Sequence, residues 1–254
     1  MSEQRDKNLW IFNAGNSFAG NPKWMFEYII RHHKEIKPVW MCYNADTMNY
    51  VHKLGYEAEL YHSSKGKSVM AKAGVYVVEM CKEVFQPELS GITVLNLWHG
   101  VGCKSIERKV TDGFLQERIA KKYIQNNDIL RNNQLFLVTS EIMEKHFKEQ
   151  CGIDDDKVIR AGYPRCVVND NIQSYDHDIR KKKGLSANTK LAIYCPTYRD
   201  NNGANFMKSA LPDMKRLAEV LHENNILLIL KMHPLVEKDT QYLAMKEVEE
   251  ADKK

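Results

Sequence analysis

The sequence predicts an α/β protein built on a parallel β-sheet covered by helices on both faces. Two observations carry this expectation. Short apolar runs alternate with amphipathic stretches along most of the 254 residues, which is the pattern of repeated strand–helix crossovers. Strands of this kind are buried on both faces, and the right-handed crossover rule turns their succession into a doubly wound domain. A hydrophobic content of 43% can supply the core of one large domain or two small ones.

The elements follow in order. "NLWIFNA" (8–14) reads as a strand and "PKWMFEYIIRHH" (22–33) as a helix with Pro22 in its first turn. "KPVWMCY" (37–43) is the next strand, and "ADTMNYVHKLG" (45–55) a helix stopped by a glycine. "YEAELYH" (56–62) is a short strand, "SSKGKSVMAKAG" (63–74) a helix opened by serine, and "VYVVEM" (75–80) a further strand. "ITVLNLW" (92–98) leads into a glycine-bearing turn, a polar helix over 112–127 and the strand "LFLVTS" (135–140). Ser140 and Glu141 open the helix "EIMEKHFKEQCG", and "KVIRAGYPR" (157–165) closes the series.

A polar, basic interval, "VVNDNIQSYDHDIRKKKGLSANTK" (167–190), marks a boundary. The pattern then restarts with the strand "LAIYCPT" (191–197), a loop, the helix "LPDMKRLAEVLHENN" (211–225) and the strand "ILLILKMHP" (226–234). The expected organisation is therefore a first domain over 1–166, a linker over 167–190 and a second over 191–254. Two strands with one or two helices cannot cover both faces of a parallel sheet. The second segment therefore either extends the first sheet or is an incomplete domain, and the second alternative is preferred.

Composition narrows the function classes. A formal net charge of +4 excludes a strongly acidic tail protein and gives only weak support for an anionic partner. No run approaches the ~18 apolar residues of a membrane span, and the first residues lack the pattern of a secretory signal. Six cysteines are scattered without metal-ligand spacing, as expected for thiols of a cytoplasmic protein. The basic run "RKKKG" (180–184) reads as a solvated helix face or a membrane-surface contact. "PKWMFEYIIRHHKEIK" reads as a core-packed helix or one that dips into a bilayer interface, with the core favoured.

In open α/β sheets, ligands bind beyond the carboxyl ends of the strands. Three polar clusters fall there: "WHGVGCK" (98–104), "PTYRD" (196–200) and "KMHP" (231–234). Gly100 and Gly102 permit close approach of backbone to a phosphate, and Lys104 supplies a point charge. His99, with an ordinary imidazole pKa of ~6.5, can serve as a general base or phosphate donor, or be a strand-end histidine satisfied by a carbonyl. Arg199 can clamp a phosphate or carboxylate, with Thr197 and Tyr198 adding hydroxyls, or form a surface pair with Asp200. Lys231 and His233 can act similarly or belong to the core. In "AGYPR" (161–165), Gly162 and Pro164 suit a rigid crossover, and Arg165 is either structural or faces a cleft. Neither a Walker lysine motif nor a G-x-G-x-x-G fingerprint occurs.

Taken in order, "GNPKWMFEYI" (20–29), "LWHGVGCKSI" (97–106), "GYPR" (162–165), "YCPTYRD" (194–200) and "LKMHP" (230–234) resemble the CDP-glycerol glycerophosphotransferases of teichoic-acid and related polymer synthesis. The resemblance implies a GT-B architecture, with two Rossmann-like domains facing each other across a cleft. It also implies a cytoplasmic enzyme, peripheral on the inner face of the cell membrane. The implied reaction moves glycerol phosphate, or a related polyol phosphate, from CDP-glycerol or a similar CDP-polyol donor. The acceptor is a lipid-linked polyol phosphate or saccharide, and no cofactor, catalytic metal or nucleic acid is implied.

By the same resemblance His99 and His233 are the catalytic histidines. His99 is the acceptor-side base, and His233 holds the donor pyrophosphate together with Arg199. Gly100, Lys104, Arg165, Thr197 and Lys231 complete the substrate- and phosphate-binding set. Two stretches depart from the family pattern. Val101, Gly102 and Cys103 stand where Thr-Pro and a bulky apolar residue are usual, and Val167 replaces a common acidic residue. Members also continue well past the "KxHP" element into a "TDYSS"-like segment. The expectation is thus a C-terminally truncated or split member that alone is inactive or folds poorly in its C-terminal part, and that a C-terminal polypeptide could complement. Alternative readings are a GT-B glycosyltransferase using a nucleotide sugar and a non-catalytic membrane-associated remnant.

Overall fold

The computed structural model describes residues 5–80, 86–102, 105–112, 116–117, 119–121, 134–167, 179–196 and 209–231. The chain divides into two compact units, Met1–Ile172 and Gln173–Lys254. The helix expected over 112–127 falls largely outside the described residues.

The first unit is a seven-stranded parallel sheet. Its strands are β1 (Asp6–Asn13), β2 (Lys37–Cys42), β3 (Ala58–Leu60), β4 (Ala73–Val78), β5 (Thr93–Asn96), β6 (Gln134–Val138) and β7 (Val158–Arg160). They lie in the order β3-β2-β1-β4-β5-β6-β7, so the direction of winding reverses between β1 and β4. Phe12 pairs with Trp40 on one side and Val77 on the other, and Leu95 pairs with Leu135. Helices α1 (Gly20–His32), α2 (Ala45–Lys53), α3 (Ser64–Lys72), α4 (Glu141–Cys151) and α5 (Pro164–Val167) belong to the same unit.

Successive strand residues point to opposite faces, and the core follows that alternation. Ile11, Met41, Tyr76 and Val78 pack with Met70 of α3 on one side. Phe12, Trp40, Cys42 and Val77 pack with Phe26 and Ile29 of α1 and Val51 of α2 on the other. α1 is therefore a core helix rather than a membrane-interface one. A third cluster joins Trp98, Phe136 and Val138 to Met143, Phe147 and Cys151 of α4.

Local chemistry sets the helix ends. Asn44 caps α2 by accepting from the Thr47 N–H at 2.8 Å, and Ser63 caps α3 by accepting from the Gly66 N–H at 2.9 Å. Ser140 caps α4 in the same way, and Gly152, at φ 67°, closes it in the left-handed conformation that favours glycine. α1 has no such cap from its own segment. Instead Glu79, just past β4, accepts from the Asn21 N–H at 2.9 Å. At the opposite edge of the sheet Arg5 gathers the carbonyls of Met70, Ala73, Glu88 and Ser90, tying α3 and β4 to the turn at Pro87–Leu89.

The second unit, taken by itself, contains α6 (Ile179–Lys182), β8 (Lys190–Tyr194), α7 (Met214–Glu223) and β9 (Ile226–Leu230). β8 and β9 pair in parallel with each other, with Ala192 opposite Leu228, and do not extend the first sheet.

Candidate functional site

The site begins where β5 ends, on the carboxyl edge of the first sheet. Asn96 is buried there and donates to Gln134 Oε1 at 3.1 Å. Its own Oδ1 accepts from the Trp98 N–H at 3.0 Å, and the Leu97 N–H still bonds to Val78 at 2.8 Å. Trp98 then turns the chain sharply, with φ at 51°. A bulky L-residue pays on the order of 1–2 kcal/mol for that conformation. Its indole is buried against Phe136 and Phe147, at ring separations of 5.7 and 5.4 Å, so packing opposes release of the strain.

The next residues are held by their carbonyls. Trp98 O accepts from Asn21 Nδ2 at 2.8 Å, His99 O from Arg165 Nη2 at 2.9 Å, and Gly100 O from the Tyr163 hydroxyl at 2.7 Å. Asn21 is fully buried in the first turn of α1, and its Oδ1 accepts from the Arg165 N–H at 3.4 Å. Glu79 anchors the same turn through the Asn21 N–H. Burial pushes the Glu79 carboxyl above its usual range, against the opposing pull of that hydrogen bond and of the Arg165 charge. Gly20, at φ 68°, lies so close that a Cβ there would overlap the Glu79 carboxylate.

His99 itself presents an exposed ring, stacked on the Trp98 indole at 4.6 Å. The ring has no hydrogen-bond partner among the described residues; the bonded group is the His99 carbonyl. Although exposed at one edge, the imidazole stands within a dense shell of protein. That desolvation first, and the Arg165 charge second, lower its pKa, while Glu107 pulls the other way. The result is an accessible imidazole that stays neutral, with a lone pair to offer, at neutral pH. Beyond it Gly102 runs against α4, its N–H 3.3 Å from Met143 Sδ, and a Cβ there would strike the His146 ring.

Of the residues singled out from sequence, His99, Gly100 and Arg165 come together at this edge. Lys231 directly follows β9 in the second unit, exposed, with its N–H bonded to Tyr194 O at 3.0 Å. Lys104, Thr197, Arg199 and His233 lie outside the described residues. Sequence reasoning assigned no part to Asn21, Tyr163 or Glu79. Asn21 and Tyr163 sit within the "GNPKW" and "GYPR" stretches, and Glu79 is a carboxylate closing an apolar strand at the point of sheet reversal, which is the signal that could have marked it. Among the described residues no group of three His, Cys, Asp or Glu side chains is arranged to hold a metal ion. None of the described helices is long and apolar enough to cross a membrane.

Residues 1–252 match the family described as CDP-Glycerol:Poly(glycerophosphate) glycerophosphotransferase. The chain belongs to this family. It is 25% identical over 239 residues to a teichoic acid poly(glycerol phosphate) polymerase of Bacillus subtilis (strain 168), covering 87% of this chain and 30% of that protein. A polymerase of the same description from Staphylococcus epidermidis is 22% identical, over 88% of this chain and 32% of its own length. The chain thus spans about a third of these two curated relatives. The solved structure of the wall teichoic acid polymerase TagF superposes with a TM-score of 0.69 at 19% identity, covering 91% of this chain and 58% of that one. The α/β, GT-B-like fold class expected from sequence is the fold shared with TagF. A UDP-N-acetylglucosamine 2-epimerase from Rickettsia bellii shares the fold more distantly, with a TM-score of 0.52 at 12% identity over 96% of this chain and 67% of that one. The architecture alone therefore does not select a donor.

Proposed function

We propose that this chain transfers glycerol phosphate, or a related polyol phosphate, from a CDP-activated donor to a lipid-linked acceptor, with His99 as the base that receives the acceptor's proton. The observation that carries this reading is the state of His99: an exposed, neutral imidazole, free of protein acceptors among the described residues, at the carboxyl edge of the sheet. Family membership supplies the reaction class. The acceptor hydroxyl gives its proton to His99 and its oxygen forms a new bond to the polyol-bearing phosphorus. The bond from that phosphorus to the bridging oxygen breaks, and CMP departs with the electron pair. Such transfer is catalysed mainly by positioning and by charge placed on the transferring and leaving phosphates. We assign that electrostatic part to Thr197, Arg199, Lys231 and His233, with Gly100, Lys104 and Arg165 on the acceptor side.

The same reading divides the chain at 167–190 into an acceptor-side domain over 1–166 and a donor-side domain over 191–254. It also puts the protein on the inner face of the cell membrane, where a lipid-linked acceptor is available. Competition binding tests the donor class. CDP-glycerol and CDP-ribitol are expected to displace a bound cytidine-nucleotide probe, and UDP-sugars to leave it in place. Displacement by UDP-sugars but not by CDP-polyols would transfer the chain to the nucleotide-sugar glycosyltransferases.

A further inference from the structure

We propose that Asn21, Tyr163 and Arg165 are positioning residues that hold the strained Trp98-His99-Gly100 turn and thereby aim the His99 ring. Three consecutive carbonyls of this tripeptide are each taken by a different side chain, at 2.8, 2.9 and 2.7 Å. The donors come from positions 77, 66 and 63 residues away, so the arrangement is tertiary and not a by-product of local turn geometry. Both backbone polar groups of Trp98 are bound by asparagine side chains, its N–H by Asn96 and its carbonyl by Asn21. That is where the backbone is strained, and a strained residue persists only when its surroundings over-determine it.

The three donors are themselves linked. The Asn21 amide has a fixed orientation, because one end faces a carbonyl acceptor and the other an N–H donor, that of Arg165. Glu79 secures Asn21 from β4, on the other side of the sheet reversal. Tyr163 is buried, and the Arg165 guanidinium lies 5.7 Å from its ring. The "GNPKW" and "GYPR" stretches thus meet on the backbone of "WHG", where neither the Asn21 nor the Tyr163 side chain needs to touch a substrate. One guanidinium nitrogen of Arg165 is committed to His99 O, so this residue serves the turn whatever its remaining exposed edge binds.

The proposal takes its functional meaning from the reading of His99 as a base, but its test does not use activity. In the intact 254-residue chain, Tyr163→Phe removes one hydroxyl and keeps the ring, and Asn21→Ala removes the amide. The His99 resonance is identified by its loss in His99→Gln. Arg165 and Glu107 are the charged groups that face His99, and Glu79 faces Arg165. Amide exchange at Leu97, Trp98 and Gly102, whose N–H groups are hydrogen-bonded on either side of the turn, is expected to quicken about tenfold in each variant, as for loss of one hydrogen bond. The His99 titration midpoint should move up toward that of an ordinary imidazole while the other histidines stay put. An unchanged His99 titration in both variants overturns the proposal. So does faster exchange spread evenly over the sheet with His99 unmoved, which would make these residues merely structural. Loss of transfer in His99→Ala bears on the base assignment alone and leaves this outcome untouched.

Discussion

Replacing Gly20 by alanine tests how the crevice at the sheet reversal is assembled. Gly20 has φ at 68°, and the added methyl would occupy the volume of the Glu79 carboxylate. The backbone term for a non-glycine residue there is ~1–2 kcal/mol. The steric overlap is with the end of a flexible side chain, so Glu79 can swing aside, but only by giving up the Asn21 N–H. A hydrogen bond to a charged group contributes ~1.5–3 kcal/mol, and the partial exposure of Glu79 argues for the lower end. The sum is ~2.5–4 kcal/mol, or roughly 5–15 °C in Tm for a unit of this size. Urea unfolding of wild type, Gly20→Ala, Glu79→Ala and the double variant measures it. In the Glu79→Ala background the alanine should cost only the backbone term, leaving the hydrogen-bond term as a coupling of ~1.5–2 kcal/mol. A Gly20→Ala protein as stable as wild type, or a cycle without coupling, would refute the reasoning.

Other consequences follow from the same structure. His99 binds its proton less readily in the folded protein than in the unfolded chain, so its stabilising contribution is present above the ordinary imidazole pKa and is lost as pH falls from that value through the lower folded one. Between about pH 7 and about pH 5, His99→Gln should therefore lose less stability than wild type, and an equal loss would contradict the lowered pKa; Glu27 and Glu79, whose raised pKa values act in the opposite sense, cancel in the comparison. Cys42 is buried and its thiol is pushed up to about 11, so at pH ~8 its thiolate fraction is of order 10⁻³. Iodoacetamide followed by peptide mass spectrometry should modify the exposed Cys166 and Cys195 at least ~100-fold faster than Cys42; comparable rates would show that Cys42 is not enclosed. Phe26 is fully buried and sits 5.2 Å from Phe12 and 5.6 Å from Trp40, so Phe26→Ala should cost ~3–5 kcal/mol by urea unfolding, and a loss under ~1 kcal/mol would deny α1 its place in the core.

The strands were readable because a buried parallel strand needs only apolar residues in a short run, as in "VYVVEM" and "LFLVTS". Helix starts were readable where the cap is local, as at Asn44, Ser63 and Ser140. The start of α1 was not: it opens at Gly20 rather than at Pro22, because its capping carboxylate, Glu79, lies 58 residues from the N–H it binds. His99 stood out as a polar residue ending an apolar strand, and glycines beside it signalled a turn. The strain at Trp98 left no mark in composition, since it is sustained by side chains distant in sequence. Arg165 illustrates the same limit. Its motif read as structural and the resemblance placed it among phosphate ligands, but the direction of its guanidinium, toward the His99 carbonyl, depends on how β5 and α5 meet at the sheet edge. Asn21 and Tyr163 act through the backbone of a remote loop, and no spacing rule within one segment records such a pairing.

The most direct test of the central claim is CMP release from CDP-glycerol in the presence of a lipid-linked glycerol-phosphate acceptor, measured for wild type and His99→Ala with donor binding followed in parallel. The account predicts that the alanine protein binds the donor as wild type does and transfers ~10²–10⁴-fold more slowly, the span expected for loss of a general base. Transfer by His99→Ala at the wild-type rate would contradict it.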